Sequence, residues 1–137
     1  TLMNEKAAAI GMQQTRFVDT HGGSAANVST AQDLFLLARH LYYNRSFVLS
    51  MTVGKVIHGT PYGAVAFKNF KNFNVFESEP EFVGGKTGKS SSALVTILSV
   101  FDLQLSDAKR PIAMIILGST DYTREARQFL SWVKSNY

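Results

Sequence analysis

Residues 83–101 read VGGKTGKSSSALVTILSVF, a glycine-rich segment that runs directly into a strand-forming one. The second half is rich in β-branched and apolar residues, which favour a β-strand. The polar stretch from Gln104 to Arg110 predicts a turn, and the apolar run from Ile112 to Leu117 predicts a strand that returns beside the first. A β-hairpin that begins just after the glycine-rich segment therefore organises this half of the chain.

Helices are predicted before and after this hairpin. The first runs from Leu2 to Ile10 and ends at Gly11. A second begins at a cap formed by Ser29 or Thr30 and continues at helical spacing to about Tyr43. In the last helix, one apolar stripe fit to lie on a sheet contains Ala126, Phe129, Leu130, Val133 and Tyr137.

A further hairpin is predicted from Val53 to Phe67, where β-branched residues flank the turn sequence GTPYG at 59–63. The order is then helix, helix, hairpin, glycine-rich segment, hairpin, helix. This order predicts a mixed α/β structure of the α+β class, in which helices cover an antiparallel sheet.

Composition narrows the classes of function. The chain has 137 residues, is 45% hydrophobic and 18% charged, and so can bury a core. Zero cysteines exclude a disulfide framework, a thiolate zinc site and a cysteine nucleophile. The net charge of +4 comes from basic residues scattered along the chain, which argues against a nucleic-acid partner. The first residues have no signal-peptide pattern and resemble a helix without a cap, so we expect a C-terminal portion of a longer chain.

Two interpretations compete for residues 83–90. A phosphate-binding loop would end in Gly88-Lys89-Ser90, but the glycine that it requires five residues earlier is Val83, and a strand follows instead of a helix. The alternative is the Lys-Thr-Gly triad of β-lactamases and penicillin-binding proteins, here Lys86-Thr87-Gly88. A lysine and a threonine on an edge strand can bind a peptide carboxylate, and the glycine leaves room for a peptide backbone alongside.

The context of the triad makes the resemblance specific. Residues 17–22 (FVDTHG) and 27–34 (NVSTAQDL) resemble paired segments of the low-molecular-mass D-alanyl-D-alanine carboxypeptidases, with Gly23 in place of the usual leucine. Residues 70–75 (FKNFNV) resemble the Asn-x-Asn stretch before the triad of that family, and 82–88 (FVGGKTG) its triad strand. The C-terminal residues also resemble this family, from Arg110-Pro111 to a final helix that contains Trp132. The chain thus resembles the C-terminal portion, 1–137, of a catalytic domain with the β-lactamase and DD-peptidase fold.

The resemblance implies roles for several residues. Lys86, Thr87 and Gly88 would bind the C-terminal D-alanine carboxylate of a peptidoglycan stem peptide, or a β-lactam. The backbone N–H of Lys89 would form part of the oxyanion hole, and Arg124 would help to hold the substrate carboxylate. His21 lies in a loop that resembles the substrate-side loop of the family, which implies a minor substrate contact.

The serine nucleophile that enzymes of this family use is missing from the chain. The family uses a Ser-x-x-Lys helix placed far before the triad, whereas the two such strings here, at 106–109 and 131–134, come after it. Ser-x-Asn, the second family motif, is absent. We therefore expect the missing N-terminal part of the same protein to be a partner that supplies the serine. A non-catalytic peptidoglycan-binding module and a β-lactamase relative remain alternatives.

The histidines suggest no metal site. His21, His40 and His58 share no ligand spacing and no carboxylate cluster accompanies them, so we expect no metal and no cofactor. His40 is expected on a helix surface, and Phe129 and Trp132 in the core. Since peptidoglycan lies outside the cytoplasmic membrane, the resemblance implies an extracytoplasmic location, in the periplasm or at the cell surface.

Overall fold

The computed structural model describes residues 2–53, 72–106 and 108–137, and the backbone of 57–60 and 63–65. Apart from one additional helix, α3, its elements follow the predicted order of helices and strands. They are α1 (Leu2–Ala9), α2 (Ala31–Asn44), α3 (Ser46–Thr52), β1 (Ile57–Thr60), β2 (Gly63–Val65), β3 (Phe82–Ser90), β4 (Leu94–Leu105), β5 (Ala108–Ser119) and α4 (Tyr122–Asn136).

Strands β3, β4 and β5 form one antiparallel sheet with β4 in the middle. Strands β1 and β2 pair separately as a short hairpin. In the larger sheet, Thr87 of the triad lies opposite Ile97 on β4, and Ile97 lies opposite Ile116 on β5. In the described part of the chain the strand that carries the triad is thus an edge strand.

Helices cover both faces of this sheet. On one face, Phe101, Leu103 and Leu105 of β4 pack with Ala126, Leu130 and Val133 of α4. On the other face, Leu98 and Val100 pack with Ala38 of α2 and Leu49 of α3. Alternate residues of β4 supply the two cores because successive side chains of a strand point to opposite faces. The predicted α+β architecture, an antiparallel sheet covered by helices, is confirmed.

Local hydrogen bonds explain where the first two helices end and begin. After α1, the Met12 amide donates to the Ala7 carbonyl and the Gly11 amide to the Ala8 carbonyl, while Gly11 has a φ of 89°. This pattern is a Schellman motif, and its left-handed residue is favourable for glycine. At the start of α2, the hydroxyl of Thr30 accepts a hydrogen bond from the Asp33 amide at 3.1 Å, so Thr30 rather than Ser29 is the cap.

Four expectations need correction or restriction. Helix α3 was not predicted, and its C-cap is Val53, which was expected to begin a strand. The predicted turn at 104–110 is shorter than expected, because Leu103 and Leu105 are buried and extend β4 into it. Phe129 and Trp132 are 45% and 52% exposed, so their prediction as core residues is wrong; α4 turns its smaller residues inward instead. Part of the hairpin predicted at 53–67 lies outside the described residues.

Candidate active site

The outer edge of β3 is the side on which its main-chain groups point away from β4. At Gly85, the main-chain N–H donates to the hydroxyl of Thr52 at 3.0 Å, and the carbonyl accepts from the side-chain amide of Asn72 at 3.0 Å. Both groups therefore point away from β4. In an antiparallel pair, alternate residues direct their main-chain groups toward and away from the partner strand. Because the register is regular from Gly85 onward, the main-chain N–H and carbonyl groups of Thr87 and Lys89 also point away from β4.

The side chains of the triad lie on both sides of this edge. Lys86 is opposite Leu98, whose face packs on α2 and α3, whereas Thr87 is opposite Ile97 on the other face. The exposed Lys86 ammonium donates a hydrogen bond to the carbonyl of Thr87, which is one of the groups that point to the open edge. The edge thus presents a positive charge beside main-chain groups that point away from β4. The Thr87 hydroxyl is buried and has no hydrogen-bond partner within the described residues.

Close packing requires the two glycines before the triad. A Cβ at Gly85 would lie 2.2 Å from the carbonyl oxygen of Leu98. A Cβ at Gly84 would lie 2.6 Å from the carbonyl oxygen of Leu49, in α3. Real Cβ atoms do not approach other atoms so closely, so side chains at these positions would push β3 away from β4 or α3. At Gly88, the triad glycine, a Cβ would lie 3.0 Å from the Thr96 hydroxyl, an atom that can rotate away.

Two buried asparagines support this strand, and sequence reasoning gave them no role. Asn72 donates to the carbonyls of Gly85 and Thr52 and accepts from the Asn74 amide. Asn74 in turn donates to the hydroxyl of Ser99, which lies in β4 and is fully buried. The Asn-x-Asn pattern in the sequence was the available signal. Its function is visible only when the loop is placed against β3 and β4.

Arg124 is in the first turn of α4. Ser119, at the end of β5, lies opposite Val95, which lies opposite Lys89, so α4 begins at the Lys89 end of the sheet. Two strand spacings separate β5 from β3, about 10 Å. The Arg124 guanidinium is exposed and forms an ion pair with Asp121 at 2.7 Å, an interaction within its own helix. Asp121 also caps α4 by accepting from the Arg124 amide.

The loop that contains His21 is organised by Asp19. The carboxylate of Asp19 accepts hydrogen bonds from the amides of Gly22 at 2.6 Å and Ser24 at 2.7 Å. Burial alone would raise the pKa of Asp19, but these hydrogen bonds outweigh it and lower the pKa to about 2. The His21 side chain is 79% exposed and lies 3.7 Å from the Asp19 carboxylate.

A groove of about 590 Å³ lies between this loop and the far ends of the strands. Residues 22–25 and 27–29 line one side of it, and Ser90, Leu94 and Leu117 line the other. His21 is not among the lining residues. The structure therefore brings the loop to the end of β3 that follows the triad. His21 is on this loop but outside the lining of the groove.

The two Ser-x-x-Lys strings lie away from the triad edge. Ser106 is at the β4–β5 turn, the opposite end of the hairpin from the triad, and its hydroxyl donates to the Tyr137 carbonyl. Lys109 forms an ion pair with Asp102 at 3.3 Å. Ser131 is exposed on α4, and Lys134 forms an ion pair with Glu81 at 3.0 Å. Each lysine is thus engaged by a carboxylate, and the Ser106 hydroxyl by a main-chain carbonyl, so neither string presents a serine–lysine pair at the triad edge.

The remaining histidines are His40 and His58. His40 is half-buried on α2, and burial together with the positive charges of Lys6 and Arg45 lowers its pKa. His58 lies within β1. Among the residues that the structure describes, no three His, Cys, Asp or Glu side chains form a group that could hold a metal ion. No described helix is both long and apolar enough to cross a membrane.

Comparison with known proteins gives consistent matches. Residues 1–119 match the protein family described as D-alanyl-D-alanine carboxypeptidase. The D-alanyl-D-alanine endopeptidase of Escherichia coli is 26% identical over 140 residues, which cover 97% of this chain and 43% of that protein. Penicillin-binding protein D2 of Listeria monocytogenes, solved with cefotaxime bound, superposes with a TM-score of 0.65 at 28% identity, over 98% of this chain and 54% of that one.

A third similar protein is a D-alanyl-D-alanine carboxypeptidase of Mycobacterium tuberculosis. Its structure superposes with a TM-score of 0.60 at 26% identity, over 95% of this chain and 50% of that one. The present chain therefore spans about half the length of the relatives that it matches.

Proposed function

The chain belongs to the D-alanyl-D-alanine carboxypeptidase family, and from this we propose that it is the substrate-anchoring portion of a serine peptidase that acts on peptidoglycan. In this proposal the intact enzyme removes the terminal D-alanine from stem peptides. The observation that carries it is the edge of β3, where the main-chain groups of Thr87 and Lys89 face away from β4 and the Lys86 ammonium contacts the Thr87 carbonyl.

Such an edge suits the end of an extended peptide. A substrate strand that lies beside β3 would pair with the main chain of Thr87 and Lys89. The terminal carboxylate would then meet the Lys86 ammonium and the hydroxyl of Thr87, which has no hydrogen-bond partner among the described residues and so can donate to the ligand. Arg124 would add a second positive charge if it exchanged Asp121 for the substrate.

The proposed reaction is acyl transfer through a serine ester. The serine oxygen attacks the carbonyl carbon of the penultimate D-alanine, a lysine base takes its proton, and the C–N bond breaks as the leaving amine is protonated. Water then hydrolyses the ester. The N–H of Lys89 would bind the negative oxygen of the intermediate, a type of contact whose loss typically costs about 2.7–4 kcal/mol of barrier.

The serine and its lysine would come from a segment outside residues 1–137. Two observations support this step: the lysines of both internal Ser-x-x-Lys strings are ion-paired, and the chain spans about half of its relatives. β-Lactams would acylate the same serine. Because the substrate is peptidoglycan, the proposal includes an extracytoplasmic location.

A second candidate is a module that binds stem peptides or β-lactams without cleaving them, because residues 1–137 hold no Ser-x-x-Lys before the triad and no Ser-x-Asn. A β-lactamase relative is a third, distinguished by rapid release of hydrolysed β-lactam instead of a lasting adduct.

One experiment separates these functions. The chain is expressed together with the coding segment upstream of it, and the product is incubated with a fluorescent penicillin, with a peptide that ends in D-Ala-D-Ala, and with a D-Ala cross-linked peptide. The cross-linked substrate is included because the Escherichia coli relative is named an endopeptidase. A lasting adduct and released D-alanine support the proposal. Peptide binding without adduct or cleavage would support the binding module, and the absence of both binding and adduct would contradict both.

A further inference from the structure

Within residues 2–53, 72–106 and 108–137, the edge of β3 is closed at one residue and open from the next edge-facing residue onward. Gly85 has both main-chain groups satisfied from outside the sheet, by Thr52 of α3 and by Asn72. Thr87, two residues later, has its carbonyl occupied, among the described residues, by the exposed ammonium of its neighbour Lys86 alone. Pairing sites along a strand edge recur every second residue, about 6.8 Å apart.

The hydrogen-bonding atoms of Asn72 are fully used. The side chain is 8% exposed, and its nitrogen donates to the Thr52 carbonyl at 2.7 Å and to the Gly85 carbonyl at 3.0 Å. Its oxygen accepts from the Asn74 amide at 2.9 Å. Only a primary amide supplies two donors and an acceptor in this arrangement, because a carboxylate lacks the donors and an alkyl chain lacks all three.

The Thr52 hydroxyl completes the closure. It donates to the Leu49 carbonyl at 2.6 Å and accepts from the Gly85 amide at 3.0 Å. The end of helix α3 is thereby joined to β3 directly before the triad.

We propose that Asn72 and Thr52 are positioning residues that set the register of the substrate, because they occupy the edge site at Gly85 and leave Thr87 as the first site to which a peptide can pair. This inference rests on the proposed function. Without the closure, an incoming strand could pair one site earlier. Its carboxylate would then lie about 6.8 Å from its place beside Lys86.

The decisive test is a pair of substitutions at Thr52 in the intact enzyme. Thr52→Val keeps the shape of the side chain and removes the hydroxyl, whereas Thr52→Ser keeps the hydroxyl and removes a methyl group. Penicillin acylation per folded molecule should fall at least about tenfold in Thr52→Val, since a misplacement of about 1 Å can cost on the order of 100-fold. It should stay within about twofold of wild type in Thr52→Ser, because the hydrogen bond to Gly85 remains. A merely structural role would leave acylation per folded molecule equal in both.

Asn72→Asp extends the test, and Ser99→Ala is its matched control. Ser99 belongs to the same buried network through Asn74 but makes no side-chain hydrogen bond to β3. Asn72→Asp should lose acylation as Thr52→Val does. Ser99→Ala should lower the melting temperature and leave acylation per folded molecule unchanged.

A second readout does not depend on activity. Amide hydrogen exchange at Gly85 should accelerate in Thr52→Val and stay slow in Thr52→Ser. Unchanged exchange at Gly85 in Thr52→Val would overturn the closure itself. Faster exchange with undiminished acylation would overturn the effect of the closure on substrate register. A wild-type enzyme that penicillin does not acylate would instead overturn the proposed function.

Discussion

Replacing Lys86 by alanine is the most direct test of the anchoring edge. The side chain is exposed, so its removal should change the free energy of unfolding by no more than about 0.5 kcal/mol. In the proposed complex its ammonium binds the substrate carboxylate. A hydrogen bond to a charged group contributes about 1.5–3 kcal/mol.

The structure reduces this figure. The Lys86 ammonium already donates to the Thr87 carbonyl, and it gives up this hydrogen bond when it turns to the substrate. Because this contact is exposed to water and its acceptor is a neutral carbonyl, we take it at about 0.5–1.5 kcal/mol, so about 1–2 kcal/mol remains as the net gain. Lys86→Ala should therefore slow acylation by penicillin about 5- to 30-fold.

Lys89→Ala is the matched control. It removes the same charge three residues later from another exposed position of β3, and it keeps the backbone N–H that the proposal assigns to the oxyanion hole. Both variants are compared in the intact enzyme by stopped-flow acylation and by thermal unfolding. Equal rates for Lys86→Ala and wild type would refute the anchoring role, and equal losses in both variants would show that net charge, not the triad position, matters.

Three further predictions concern other parts of the chain. Arg124→Ala should reduce turnover of D-Ala-D-Ala peptides more than it reduces the melting temperature, because its ion pair with Asp121 is exposed; a lower melting temperature with unchanged turnover per folded molecule would show a structural role. The hydrogen bonds of Asp19 should be complete above its ordinary pKa of 3.8 and be lost as the pH falls toward its folded pKa of about 2. This transition is followed by the amide NMR shifts of Gly22 and Ser24, and a midpoint at 3.8 or above would contradict it. The 137-residue chain alone should form no penicillin adduct detectable by mass spectrometry, and an adduct on Ser106 or Ser131 would overturn the argument from their ion-paired lysines.

The sequence alone predicted the order of elements because that order depends on local signals. Apolar spacing located α2 and α4, Gly11 marked the end of α1, and Ser29-Thr30 marked the start of α2, with Thr30 chosen as the cap only by the structure. The residue types of 83–101 placed the triad on a strand that leads into a hairpin. The family resemblance also came from short contiguous motifs, and the match over residues 1–119 confirms it.

Tertiary structure decided what no local signal contains. The short helix α3 has little periodicity of its own, and it is fixed by packing of Leu49 beneath the sheet. Phe129 fits the apolar stripe of α4 by spacing, and Trp132 was expected in the core, yet the sheet accommodates the smaller Ala126, Leu130 and Val133 at its surface.

The same division applies to the candidate site. The sequence identified Lys86, Thr87 and Lys89, whereas the direction of their main-chain groups depends on the register between β3 and β4. The closure of the edge at Gly85 joins residues 33 and 13 positions apart in the chain. A hydrogen bond between such distant residues forms only after the whole chain has packed, so the sequence named the triad and the tertiary structure determined where its open edge begins.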